Sequence, residues 1–479
     1  MEFITTHITE ILIGSIIAMI TAIIGLASDS IKTIVSSIWN WIFSPKPPNG
    51  NMFNEDQVYS LIKKAQEDGN KSPIPIEEYK RLEDEIVRLK REKETAEIKL
   101  KLSSLYLGRE AAKIALEGRV NEANAKFQHA LETYPEPEII NLFGLYLTRI
   151  GRLDESIAQF EKLLDTGKAL HEKVYIATAY GNLGIICRTK GELDKAKEFN
   201  NKSLAIEIEL GRKEGISDTY TSLGVIYQTK GEHDKAEEFH KKALTINTEL
   251  GRKEGIAGDY TNLGNICHTK WELDKAEEYF NKSLEINKEL GSKEGIAGDY
   301  TNLGNICHTK WELDKAEWEL DKAEEFYNKS IQINTELGRK EGIADNYGNL
   351  GVIYQTKGEH DKAEEFHKKA LAINTELGRK EGVADNYTNL GNISHTKWER
   401  DKAKEFYNKS IQINKELGRK EGIASNYSNI GVLYQEKGEL EKAMEFLIKA
   451  LVLFEELGAK DKIALTKKNI AILKEKMGE

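Results

Sequence analysis

The spacing of apolar and polar positions changes character several times along this 479-residue chain. Ile11–Ser28, "ILIGSIIAMITAIIGLAS", has no charged position. As a helix it rises roughly 27 Å, close to the roughly 30 Å apolar core of a bilayer, so residues 1–28 are expected to hold a membrane span. Ile31, Ile34, Val35, Ile38 and Ile42 then share one helical face, with Ser and Lys opposite and Trp39, Trp41 and Phe43 at its end. Such a stripe flanked by aromatics predicts a helix lying in the membrane interface over 29–43. The prolines of "SPKPPNGN" break it and open a linker over 44–75. Helical spacing returns at Ile76, where Tyr79, Leu82, Ile86 and Leu89 form a seam that Lys93 interrupts. Residues 76–97 therefore read as a charged helix with room for only a short coiled coil.

From residue 98 one pattern repeats. A glycine recurs at 144, 184, 224, 264, 304, 351, 391 and 431, and a shorter unit surrounds Gly108. Successive glycines are 40 residues apart except between Gly304 and Gly351, where the step is 47. Each unit reads as two helices, such as "YTNLGNICHTK" followed by "ELDKAEEYFNKSLEINKEL". Ala276, Phe280, Ser283 and Leu284 fall at helical spacing in the second, and Gly251 and its equivalents stand where a left-handed helix end belongs. A single helix pair cannot bury its own face, so the units must stack. Nine units fill 98–459, and residues 460–479 supply a last, capping helix.

The longer step has a visible origin. "WELDKAE" occupies Trp311–Glu317 and again, letter for letter, Trp318–Glu324. Seven residues advance a helix by about two turns, only about 20° short of full register. The extra segment is expected at the turn and the start of the second helix, with its buried face nearly preserved. Larger copies, such as 211–250 and 338–377, indicate that the array has grown by duplication.

Charge orients the chain. No Lys or Arg precedes the apolar stretch, whereas Lys32, Lys46, Lys63 and Lys64 follow it. The excess of positive charge is expected on the cytoplasmic side, which makes this a single-pass protein with a cytoplasmic C-terminal array. Ser15, Ala18, Ala22 and Gly25 form a stripe of small residues on the span and a route to a homo-oligomer. A net charge of −10 with no long basic run argues against nucleic acid as partner. Three cysteines make no disulfide framework.

The small–aromatic–small signature with glycine in the first helix, fullest at Ala123, Phe127, Ala130 and Pro135, resembles that of tetratricopeptide repeats. The 40-residue form with "ELGRKEGIA" is similar to the repeats of kinesin light chain, of polarity adaptors with GoLoco motifs and of bacterial peptide-sensing regulators. The resemblance implies an all-α fold: a right-handed α-solenoid of about nine helix–turn–helix repeats, here preceded by an N-terminal membrane helix. It also implies that Asn182, Asn262, Asn302, Asn349, Asn389 and Asn429, two residues before the repeat glycine, line a concave groove and hold the backbone of an extended peptide. Ser222 replaces one of them. An amide carries both donor and acceptor, which suits a peptide bond.

Asn265, Asn305 and Asn392, one residue after the glycine, add a second row, joined by His268, His308 and His395. Cys187, Cys267 and Cys307 stand where Tyr227, Tyr354 and Tyr434 stand in sister units, which marks a packing position rather than a metal site. No nucleophile elbow, phosphate loop or HExxH occurs, so neither an enzyme nor a cofactor is expected. Acid pairs such as Glu277–Glu278 read as a solvated face, and the Arg-Lys pairs of "GRKEG" as a basic ridge. The leading expectation is a membrane-anchored scaffold that binds a protein or extended peptide. The alternative is a sensor-effector of defence or toxicity, whose N-terminal segment oligomerises to permeabilise the membrane while the repeats sense.

Overall fold

The computed structural model describes residues 76–477, in which nineteen α-helices and no strand occur. The expected span over 1–28, interfacial helix over 29–43 and linker over 44–75 lie outside the described residues. Among the described residues no helix is long and apolar enough to cross a membrane. Two compact units divide between Ser103 and Ser104, inside helix α1 (Ile76–Leu116). That helix runs unbroken past residues 97 and 98, where the sequence pattern changes from charged helix to first repeat.

From Ser104 onward the second unit is an all-helical solenoid of hairpins. The end of α1 pairs with α2 (Val120–Thr133), followed by α3 (Pro137–Arg149) with α4 (Leu153–Ala169) and α5 (Lys173–Thr189) with α6 (Leu193–Leu210). Next come α7 (Lys213–Thr229) with α8 (His233–Leu250), α9 (Lys253–Thr269) with α10 (Leu273–Leu290), and α11 (Lys293–Asp314) with α12 (Glu317–Glu336). The array continues through α13 (Lys340–Thr356) with α14 (His360–Glu376), α15 (Lys380–Thr396) with α16 (Arg400–Leu417), and α17 (Lys420–Glu436) with α18 (Leu440–Leu457). A lone helix, α19 (Lys460–Met477), follows. In α19, exposed Lys467 and Lys474 take the places of Tyr427 and Tyr434 in α17, so its outer side is solvated.

The repeat glycine is present because the two helices of each hairpin nearly touch. A Cβ at Gly264 would lie 2.7 Å from the Phe280 ring, and one at Gly391 only 2.5 Å from Tyr407. Phe280, Tyr327 and Tyr407 are buried under their glycines. At the same place the fourth and seventh repeats carry His240 and His367, both fully buried. Among the described residues neither ring nitrogen of His240 has a hydrogen-bond partner, and His367 Nε2 has none either. Between hairpins, buried polar groups meet in pairs: Asn287 Nδ2 donates to Asp299 Oδ2 at 2.7 Å, and Asn247 Nδ2 to Asp259 Oδ2 at 2.7 Å.

The acidic and basic surface is spent on neighbours. At the turn edge, Lys190, Lys230, Lys270, Lys310, Lys357, Lys397 and Lys437 each bind an Asp of the preceding repeat at 2.5–2.9 Å. Lys310 also holds Glu277 at 2.6 Å, so Glu277 is an inter-repeat partner and not part of a solvated face. The "GRKEG" turns are likewise no free basic ridge: Arg379 binds Asp345 and Lys380 binds Glu416, both at 2.8 Å.

The duplicated heptad lies at the turn and the start of the second helix, as expected, but the first four residues of its first copy, Trp311–Asp314, also lengthen the first helix: α11 has 22 residues where α9 has 17. The turn moves to Lys315, whose φ of 58° is left-handed, and α12 gains three residues ahead of Leu320. Both antiparallel helices lengthen together, and Leu320, Ala323 and Tyr327 of the second copy take the buried places of Leu273, Ala276 and Phe280. Deleting Trp311–Glu317 or Trp318–Glu324 yields one and the same polypeptide. Its melting midpoint should stay within a few degrees of the parent. Deleting only Trp311–Asp314 should displace those three core residues and cost about 3 kcal/mol or more in chemical denaturation. Equal losses from the two deletions would contradict this account.

Candidate functional site

First helices of successive repeats touch one another, as α3 does α5 and α7 does α9, while no pair of successive second helices makes comparable contact among the described residues. The first helices therefore line the inside of the curve. All six asparagines two before the repeat glycine lie on this face and are half-buried. Their bonding differs. Asn182 Nδ2 donates to Asn141 Oδ1 and Asn429 Nδ2 to Asn392 Oδ1, both at 3.2 Å, so these two amides link adjacent repeats. Asn262, Asn302, Asn349 and Asn389 make no side-chain hydrogen bond within the described structure and offer their full donor and acceptor capacity.

The second row is held from behind. The Tyr327 hydroxyl donates to Asn305 Oδ1 at 2.8 Å, and that of Tyr407 to Asn392 Oδ1 at 2.9 Å. Burial pushes both phenols above their ordinary range, so they remain protonated donors. With Oδ1 engaged, Asn305 presents Nδ2. Asn265 has Phe280 behind it and no such bond.

The three histidines also diverge. Thr309 Oγ1 donates to the Asn305 carbonyl, and so accepts from His268 Nε2 at 3.0 Å. His395 Nε2 lies 3.0 Å from Glu436 Oε1. Among the described residues His308 has no hydrogen-bond partner; its ring lies parallel to Trp311, with centroids 6.1 Å apart. Burial holds the imidazoles of His268 and His308 below their usual pKa, with Lys315 adding to the effect at His308 and Glu312 opposing it.

A cavity of about 300 Å³ gathers His268, Asn305, His308, Thr309, Tyr327, Asn349 and Val352, from three successive first helices and from α12. Four of the residues singled out in the sequence thus meet at one place; Asn392 and His395 lie in the next repeat and Asn429 in the one after it. Thr309, Tyr327 and Val352 are additions. The signal for Tyr327 was its hydroxyl, which Phe280 lacks at the sister position. Cys187, Cys267 and Cys307 are buried, and burial raises the Cys307 thiol to about 12, as befits core residues.

A family model described as tetratricopeptide repeat matches residues 137–209, 175–249, 215–289, 319–376 and 342–416, and a second model of the same description matches 424–454. Among solved structures, the apo form of the quorum sensor NprR from B. thuringiensis is 16% identical with a TM-score of 0.53; the match covers 74% of this chain and 99% of that one. A STAND protein with a tetratricopeptide repeat sensor from Pyrococcus horikoshii is 16% identical with a TM-score of 0.55, covering 74% of this chain and 54% of that one. A putative kinesin light chain of Podosopora anserina is 17% identical with a TM-score of 0.35, over 42% of this chain and 95% of that one. A search of curated proteins found no match.

Proposed function

The chain belongs to the tetratricopeptide-repeat family, and from that premise we propose that it is a scaffold binding an extended peptide or protein segment along its first-helix face. One observation carries the reading: Asn262, Asn302, Asn349 and Asn389 recur once per repeat, half-buried on one face, with amides that nothing in the described structure uses. First helices pack about 10 Å apart, and an extended chain advances roughly 3.3 Å per residue, so one amide meets about every third peptide bond. The role is binding, not catalysis. That a solved protein with this fold is named a quorum sensor agrees with ligand capture in such a groove.

The test is selection of displayed random peptides of about twelve residues, long enough to cross three or four repeats, on the full-length chain. Selected peptides rebuilt with a photo-crosslinking residue should label the first helices α9, α11, α13 and α15. Labelling of the second helices alone would remove the groove as the site.

We further propose that residues 1–43 tether the array to a membrane, with the array cytoplasmic. The support is the uncharged Ile11–Ser28 and the lysines that follow it. Full-length protein should pellet with membranes through carbonate washing, and a chain starting at Asn51 should not. Release of full-length protein by carbonate would remove the tether.

A further inference from the structure

His268, His308 and His395 share one position, four residues after the repeat glycine, and two of them already have an acceptor. In both cases it comes from the next first helix, five residues after that helix's glycine: Thr309 for His268 and Glu436 for His395. The Glu436 carboxylate takes His395 Nε2 at 3.0 Å and Arg400 Nε at 3.3 Å. The equivalent residue facing His308 is Thr356, which makes no such bond. Among the described residues His308 is the histidine left open, and it lines the cavity.

We propose that this cavity takes a carboxylate of the bound segment, which occupies at His308 the place that Glu436 occupies at His395. The proposal rests on the peptide-binding reading above and states what the segment must carry. The groups turned to the cavity are mostly donors. Asn305 offers Nδ2 because Tyr327 holds its Oδ1, the Asn349 amide is free, and His308 brings an N–H. No acid is among the lining residues, so a carboxylate meets donors at the cavity wall; the like charge that acts on His308, Glu312, stands outside the lining and is opposed by Lys315. The charged groups acting on His308 are Glu312 on its own helix and Lys315 in the turn; α9 adds His268, α12 adds Tyr327, and α13 adds only the uncharged Asn349 and Val352. An entering carboxylate favours the imidazolium that burial alone disfavours. Binding then takes up a proton, and affinity rises as pH falls from about 7.5 to about 6.

Two substitutions are matched to the fold. Gln228, Gln355 and Gln435 stand at the histidine position in sister repeats, so His308→Gln keeps the packing. Thr356→Glu copies Glu436 and supplies an internal carboxylate to His308. The probes are the peptides selected on the full-length chain, each remade with its acidic side chain changed to the amide, or with its C-terminus amidated, so that the two sources of carboxylate are separated. One of these changes should weaken binding to the parent by about tenfold or more, and to His308→Gln by less than about threefold. Thr356→Glu should weaken the unmodified peptides by about tenfold without lowering the melting midpoint. The tightening on acidification should vanish in His308→Gln.

If amidation is felt equally by parent and His308→Gln, or if the selected peptides bind without any carboxylate, the proposal is overturned. The groove reading survives that result as long as the same peptides need the asparagine ladder. If no selected peptide needs the ladder, the groove reading falls, and the carboxylate seat with it.

Discussion

Replacing Asn262, Asn302, Asn349 and Asn389 together by alanine weakens a bound segment by about two to four decades and leaves the melting transition nearly unchanged. Each amide lost from the contact removes a hydrogen bond worth about 0.5–1.5 kcal/mol, and four distant losses add approximately. Folding is spared because none of the four side chains bonds to the rest of the described structure. Asn182 and Asn429, whose amides tie adjacent repeats, are left in place for that reason. The control is Glu278 with its sisters Glu238, Glu325 and Glu365, each paired, among the described residues, only to a lysine four residues on along its own helix. Changing these to alanine should leave binding intact. Calorimetric titration of a selected peptide, with a melt of each variant, reads both quantities. Unfolding of the asparagine variant alone would make the ladder structural; unchanged binding would move the partner to another surface.

The second large effect concerns stability. His367→Phe should stabilise the seventh repeat by about 1–3 kcal/mol at neutral pH, because it removes a buried nitrogen without a partner and installs the ring type that fills the same space at Phe280. It should also remove an acid-sensitive component. Burial pushes the His367 imidazole down to about 4, against a weaker opposing bond to Asn386. Unfolded, it titrates near 6.5. Between those values the unfolded chain binds the extra proton, so stability is complete above about pH 6.5 and is lost as pH falls toward 4, by about 3 kcal/mol in all. Hydrogen exchange of the α13–α15 amides near neutrality and near pH 5 measures this locally, as a solenoid requires. A parent and a phenylalanine variant with the same pH dependence would refute the assignment.

The repeat, its helix pairs and its packing glycines were legible in the sequence because a unit copied many times averages away local ambiguity. The positions that pack, such as Ala276 and Phe280, keep their period in every copy. What periodicity hides is what differs between copies. The three histidines are alike within their own segments; their fates are set 41 residues on, by Thr309 and Glu436. Asn305 and Asn392 looked like groove residues equivalent to Asn265, yet a hydroxyl on the facing helix fixes how they point. The Arg-Lys turns looked like free positive charge because their acids lie 34–36 residues away. The heptad's place at the turn was legible, but its share in the first helix was not: its residues suit either helix, and only the antiparallel hairpin lets both grow at once.

The lysine–aspartate pairs along the turn edge also have a mechanical meaning. Most of their aspartates are almost fully exposed, as Asp274 and Asp361 show at 97% and 92%. Each such pair adds little to the free energy of folding, but each is a short tie between consecutive hairpins, and bending the array away from that edge stretches all of them at once. Their restoring force is electrostatic and weakens as the screening length shrinks from about 10 Å at 0.1 M salt to about 3 Å at 1 M. The array is in this sense an elastic rod with a salt-dependent spring constant, stiffer in dilute buffer and more compliant in brine, while the apolar contacts between its hairpins set a floor to that stiffness.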